Sequence, residues 1–434
     1  MSRATGLPGF RDFFPADFTV RDHITRVWRE IARRHAFEEV DGPPLEPLDL
    51  YIEKSGEEII GQLYNFTDKG GREVALRPEM TPTLARMIGA RAGGLRKPIR
   101  WFSVPQLFRY ERTQRGRLRE HFQWNVDIAG EAGIAADAEV LATALDALIA
   151  LGLTEKDVVA RFNDRRLLEK LFLHAGVPTE RLLAVYGAVD RLTREPLERV
   201  RERILATGVV APVADAVLRV FSIEGGLEGF REEFADVGGI AEEIFRLERY
   251  ERDLQDLGLG GFIAFDPAIV RGLAYYTGTV FEIFDRRGEL RAICGGGRYD
   301  GLLRSVSDVD MPAAGFGMGD VVLGELLADC GLLPVYAPAV DYYVVAVTPD
   351  ERGLVRRVAA YLRSKGGSVA YGLKEAGVGK QFKEANALGA RQTVVLGPEE
   401  TAAGVAVVRA MDSGEERRAP LAELVGDESA RVEK

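Results

Sequence analysis

The run Arg271-Gly-Leu-Ala-Tyr275-Tyr276-Thr-Gly-Thr-Val-Phe-Glu282 sets a permanent cation close to two aromatic rings, at the head of an apolar stretch. Those residue types suit a pocket that grips an anion and a ring together. Shortly after it comes Cys294-Gly-Gly-Gly-Arg-Tyr-Asp-Gly301, whose three consecutive glycines let backbone approach a ligand closely. The same residues also read as a hairpin, with a strand from Tyr275 to Phe284, a turn at Asp285-Arg-Arg-Gly288 and a return into Gly295. The readings are compatible, because binding groups are often mounted on rigid strands.

Two further clusters carry charge in useful patterns. In Leu76-Arg-Pro-Glu-Met-Thr81, Pro78 suits the first turn of a helix and Glu79 its positive end. Helix capping alone accounts for that pattern, although Glu79 and Thr81 also offer acceptors to an ammonium group. Phe108-Arg-Tyr-Glu-Arg112, a basic loop through Arg115, Arg117 and Arg119, and Glu120-His-Phe-Gln-Trp-Asn-Val-Asp127 read as strand, loop and return strand. Arg109 can neutralise a phosphate with a planar fork. Glu111 suits adenine or a bound magnesium ion, and the loop can lean on a nucleotide and on an RNA end. Period two puts Gln123, Asn125 and Asp127 on one face, opposite Trp124 and Val126. Such a ladder either faces solvent or floors a polar pocket.

The elements that position these groups span 434 residues, more than one hydrophobic core supports. Hydrophobic content of 46% and charged content of 29% are those of a globular protein, and no apolar run reaches the roughly 20 residues of a membrane helix. A net charge of −10 argues against coating nucleic acid by bulk electrostatics, while local basic clusters leave RNA contact open. Cys294 and Cys330 make no disulfide framework, so a reducing cytoplasmic setting is expected. Four scattered histidines suggest no protein-ligated metal site.

Apolar spacing predicts a helix over 16–36, with Thr19 or Asp22 near its start, an extended stretch from Leu45 to Leu50, strands at 99–104 and 123–128, and a helix at 135–151. From about 156 to 257 Leu/Glu/Arg helices dominate, which reads as a helical insertion. Strand patterning resumes at 261–265. A proline-punctuated linker at 331–340 leads to residues 341–434, where strands alternate with helices and a largely parallel sheet is expected.

Taken in order, Glu79 to Tyr299 closely resembles the motifs of the histidyl-tRNA synthetases, a class II aminoacyl-tRNA synthetase family. The resemblance implies an α/β chain with an α+β catalytic core over 1–330. This would be a mostly antiparallel class II sheet carrying the helical insertion, followed by a C-terminal α/β anticodon-binding domain. It implies that L-histidine and ATP form an adenylate whose histidyl group passes to the 3′ end of tRNA(His), with Mg2+ assisting. Glu79, Thr81 and Gln123 would then hold the α-amino group, Asp127 the imidazole, and Tyr275 and Tyr276 would wall it. Arg109 and Arg271 would be the catalytic arginines on the carboxylate and α-phosphate, and Glu111, Arg112 and Arg117 would complete the ATP site. Gly295-Gly-Gly-Arg-Tyr299 would line the same cleft. A homodimer built partly through the N-terminal helix and strand is also implied.

Two residues depart from the family pattern. Ala274 stands where aspartate is usual. Val322 replaces the motif 3 arginine that packs on adenine and binds the γ-phosphate, which leaves apolar groups such as Val322 or Phe316 for adenine and Arg112 or Arg117 for the γ-phosphate. Val322 could equally fill the core under the sheet. The alternative function is a non-catalytic, histidine-sensing regulatory subunit of ATP phosphoribosyltransferase, and a plain tRNA- or nucleotide-binding module is a third reading.

Overall fold

The computed structural model describes residues 6–55, 57–192, 195–270 and 276–426, with the side chains of 53–59 left aside. It divides into two compact units, Met1–Pro334 and Val335–Lys434. Arg271 and Tyr275 lie outside the described residues.

The first unit is organised by a nine-stranded sheet. From one edge its strands are Glu38–Glu39, Ile99–Ser103, Glu120–Ala129, Ala313–Gly319, Cys294–Arg298, Thr279–Asp285, Val158–Asp164 and Ile263–Phe265, with Gln106–Phe108 pairing onto Glu120–Ala129. Only the two outermost pairings are parallel. The centre is therefore antiparallel, and the strand Glu120–Ala129 lies in it with both edges paired. On its inner face Trp124 stacks on Trp28 of the helix Pro15–Arg34 at 6.0 Å and meets Phe316 edge-on at 5.0 Å. Such aromatic pairs add to the gain from area burial alone. The alanine-rich helix Ile134–Ala150 is buried along most of its length against the same face.

Local sequence explains most boundaries and corrects several. The first helix opens at Pro15, a first-turn proline, and no side chain caps it; Thr19 bonds back to the Pro15 carbonyl instead. The stretch from Leu45 is extended only to Pro47, and a helix begins at Asp49. Pro78 precedes the helix it was expected to open, because Thr81–Gly89 already has Pro82 in its first turn.

The helical insertion does not begin near 156. Val158–Asp164 is an internal strand paired in register with Thr279–Asp285, and helices follow only from Arg165. Asp164 ends that strand and caps the first helix, its carboxylate accepting from the N–H groups of Arg166 and Leu167 while pairing with Arg246. Further along come the helices Leu182–Val189 and Leu197–Ala206.

The second unit has a five-stranded sheet in the order Val369–Tyr371, Val340–Ala346, Ala390–Leu396, Val405–Ala410, Glu416–Pro420. The first three are mutually parallel and the last two antiparallel, so the sheet is mixed rather than largely parallel. Tyr343, Val344 and Val345 are all fully buried, as expected of a central parallel strand covered on both faces. Its strand begins at Val340, inside the stretch read as linker.

Candidate active site

A cavity of about 330 Å³ opens on the sheet face opposite the Trp28–Trp124 stack. It is lined by Gln123 and Asn125, by Glu282, Gly295, Gly296 and Gly317 on neighbouring strands, and by Glu79, Thr81, Arg109, Tyr276 and Tyr299. The polar ladder of Glu120–Ala129 therefore floors a pocket instead of meeting solvent. Asp127, 7% exposed, ends it, and its carboxylate accepts a hydrogen bond from the Tyr299 hydroxyl.

Glycine is required on the facing strand for a plain steric reason. Gly315 and Gly317 pair with Asp127 and Asn125 in the ladder. A β-carbon at Gly315 would stand 2.3 Å from Asp127 Oδ1, and one at Gly317 would stand 2.8 Å from the Gln123 amide. Bare backbone here lets the two polar side chains lie across the sheet.

The carboxylates and Arg109 enter from separate elements. Glu79 and Thr81 sit at the start of the helix Thr81–Gly89, where free backbone N–H groups and the helix dipole raise the local positive potential. Arg109 is placed by its backbone N–H, bonded to the Arg119 carbonyl, and by Nε donating to the Pro78 carbonyl at 3.0 Å. That bond ties the arginine to the segment bearing Glu79.

The loop from Arg112 to Arg119 is held in place by acidic partners. Arg117 pairs with both oxygens of Glu111. Arg115 lies 3.4 Å from Glu325 and 3.2 Å from Asp329, and the N–H of Gly116 donates to Glu325 Oε1 at 3.0 Å. Arg119 packs over Tyr110, and Arg112 is exposed.

Val322 is 8% exposed and belongs to the main hydrophobic cluster, touching the loop at Gly116. Phe316 is likewise buried, against Trp124. Of the readings of Val322, core filling is the one that matches this packing.

Arg298, expected in the cleft, points away from it. Its guanidinium is 1% exposed and binds Asp137 on the helix Ile134–Ala150, with Nη2 to Oδ2 at 2.7 Å. It locks helix to sheet, and removing one member of a buried pair like this costs roughly 3–5 kcal/mol. Arg77 is also structural, donating to Asp41, to the Gly42 carbonyl and to the Gln106 carbonyl.

Glu282 and Ile269 line the cavity without an assigned role in the sequence analysis, and His121, on the strand Glu120–Ala129, had none either. Alternation along Thr279–Asp285 would have found Glu282, since Val280 and Glu282 share a face and both line the cavity. His121 shares its face with Gln123. Burial, with Arg109 and Arg11 nearby, pushes its pKa down to about 3, so it is a neutral imidazole across the ordinary pH range.

Residues 9–319 match the family model described as Histidyl-tRNA synthetase, and residues 341–427 match the one described as Anticodon binding domain. A histidine–tRNA ligase from Opitutus terrae is 43% identical, over 97% of this chain and 97% of that protein. The crystal structure of histidyl-tRNA synthetase from a Nostoc species superposes with a TM-score of 0.80 at 23% identity, covering 98% of each chain. A Bacillus halodurans structure, named as an ATP phosphoribosyltransferase regulatory subunit/histidyl-tRNA synthetase, gives 0.74 at 20% identity over 91% of this chain and 98% of that one. Both structural likenesses speak to fold. An antiparallel sheet whose polar strand floors a cleft, with an arginine-bearing loop at its mouth, is the architecture of a class II aminoacyl-tRNA synthetase. Within that class, the chain belongs to the histidyl-tRNA synthetase family.

Proposed function

We propose that the chain activates L-histidine with ATP and passes the histidyl group to the 3′ end of tRNA(His). The observation that carries this reading is the cavity lined both by Tyr299, whose hydroxyl donates to the buried Asp127 beneath it, and by Arg109, anchored on Pro78. One end presents a fixed acceptor for an imidazole N–H, and the other a permanent cation for carboxylate and phosphate. Glu79, Thr81 and Gln123 receive the α-ammonium, and Tyr276, with Tyr275, walls the ring. In the first step a histidine carboxylate oxygen attacks the α-phosphorus and pyrophosphate leaves. In the second a ribose hydroxyl of the tRNA attacks the acyl carbon and AMP leaves.

No side chain serves as a nucleophile. Arg109 and Arg271 align the reactants and offset charge on the α-phosphate, the usual means of catalysis in phosphoryl chemistry. Magnesium, when bound, neutralises the triphosphate. A hard cation takes carboxylate oxygens together with phosphates, and Glu111, which Arg117 pairs with, would be the carboxylate to hold it.

The C-terminal unit contacts the anticodon end of the tRNA. The active form is a cytoplasmic homodimer that uses the N-terminal helix and strand. A histidine-sensing regulatory subunit is the weaker reading, because residues 341–427 match an anticodon-binding model. Aminoacylation of a tRNA(His) transcript by the full chain tests the proposal: histidyl-tRNA should accumulate with AMP released in equal amount, whereas histidine binding without either product would favour the regulator.

A further inference from the structure

The first turn of the helix Asp320–Asp329 supplies no cation to the cleft, since it reads Asp320-Val-Val-Leu323 and Val322 is buried. Most arginines near it are already matched. Arg11 pairs with Glu120 at 2.6 Å and with Asp320 at 2.9 Å. Arg115 and Arg117 are held by Glu325, Asp329 and Glu111 as described. Among the described residues Arg291 is not so matched. It lies just before the strand Cys294–Arg298, whose first pairing, Cys294 with Met318, falls next to the start of that helix.

A β-carbon built on Gly116 would stand 3.3 Å from Val322 Cγ2 and 3.8 Å from Arg291 Cδ, so Arg291 and Val322 meet at the tip of the basic loop. Glu325, also close to Gly116, already receives Gly116 N–H and pairs with Arg115. Arg291 is exposed and makes no hydrogen bond or ion pair among the described residues.

We propose that Arg291 binds ATP, holding its outer phosphates beside the tip of the loop Arg112–Arg119. The inference rests on the ATP-dependent reading above. Arg291 lies in the connection leading into the strand that contributes Gly295 and Gly296 to the cavity lining. Its Cδ lies close to Gly116 at the loop tip, on the side where Val322 also lies. Arg112 has the charge but lies in the exposed loop. The position beside Val322 returns to the site the positive charge that Val322 lacks, from a different strand.

The test compares ATP with AMP, which has no outer phosphates. Dissociation constants are measured by calorimetry for the full chain, Arg291→Ala and Arg291→Lys, alongside ATP–pyrophosphate exchange and melting temperature. Losing a charged hydrogen bond should weaken ATP by roughly tenfold to a hundredfold in Arg291→Ala. AMP affinity and melting temperature should stay at the parent value, and Arg291→Lys should fall between. Equal losses for ATP and AMP, or no loss for ATP, would overturn the assignment. If the parent chain itself neither bound ATP nor catalysed exchange, the functional reading would fall as well, which separates the two failures.

Discussion

Replacing Gly315 by alanine should damage histidine recognition more than any other step. Gly315 faces Asp127 in the strand pairing, and the added carbon would stand 2.3 Å from Asp127 Oδ1, 2.6 Å from the Val126 carbonyl oxygen and 2.7 Å from the Tyr299 hydroxyl. Ordinary contact needs roughly 1 Å more. The carbonyl belongs to the backbone of the central sheet and cannot move alone, so the carboxylate and phenol must yield. Overpacking of this kind costs roughly 1–3 kcal/mol, a fall of several degrees in Tm. Displacing Asp127 also removes a charged acceptor from the imidazole, worth about 1.5–3 kcal/mol, or about tenfold to a hundredfold in KM for histidine. ATP, held at the Arg109 end, should change far less. Gly317→Ala serves as the milder control, because its β-carbon meets only the flexible Gln123 side chain, at 2.8 Å. The assay is ATP–pyrophosphate exchange with each substrate varied, beside thermal unfolding. A Gly315→Ala protein with parental Tm and parental KM for histidine would show that Asp127 does not position the imidazole.

Other substitutions probe the remaining assignments. Asp127→Ala should weaken histidine much more than ATP, and equal losses would make the residue merely structural. Arg271→Ala should lower adenylate formation by more than the ~10²–10³ typical of one lost preorganised donor, with the fold intact by circular dichroism; near-normal exchange would defeat that role. Deleting residues 335–434 should spare pyrophosphate exchange and cripple tRNA charging, since that unit has its own core; unchanged charging at low tRNA would refute the anticodon role. His35, bonded between Asp146 and Glu139, has its pKa raised to about 9. Its stabilisation is fully present below pH ~6.5, the unfolded value, and is lost as pH rises through about 9. Chemical denaturation should therefore show the parent losing on the order of 1 kcal/mol more than His35→Gln between those limits, and parallel pH profiles would count against the ion pair.

Much of the site was legible because it follows strand alternation. Gln123, Asn125 and Asp127 occur at period two; the first two line the cavity and Asp127 lies buried at the end of the ladder, bonded by Tyr299. What the pattern left open was whether the ladder faced water. Glycines at 315 and 317 decide it, and their need for bare backbone appears only when the strands are paired. Long-range pairing also explains the main errors of the linear reading. Val158–Asp164 was absorbed into the insertion because its partner, Thr279–Asp285, lies beyond all the helices that follow. The largely parallel sheet expected of the C-terminal unit gains an antiparallel end, whose edge strand Glu416–Pro420 is largely polar and carries little strand signal. Arg298 was read into the cleft with its glycine neighbours, yet the next residue along a strand points to the opposite face, where Asp137 receives it.

The central claim is that this cleft activates histidine and not another amino acid. Its most direct measurement is ATP–pyrophosphate exchange by the intact chain, run separately with each of the standard amino acids at equal concentration. The account predicts exchange with histidine alone, abolished when ATP is replaced by AMP. Absence of histidine-dependent exchange, or comparable exchange with a second amino acid, would contradict it.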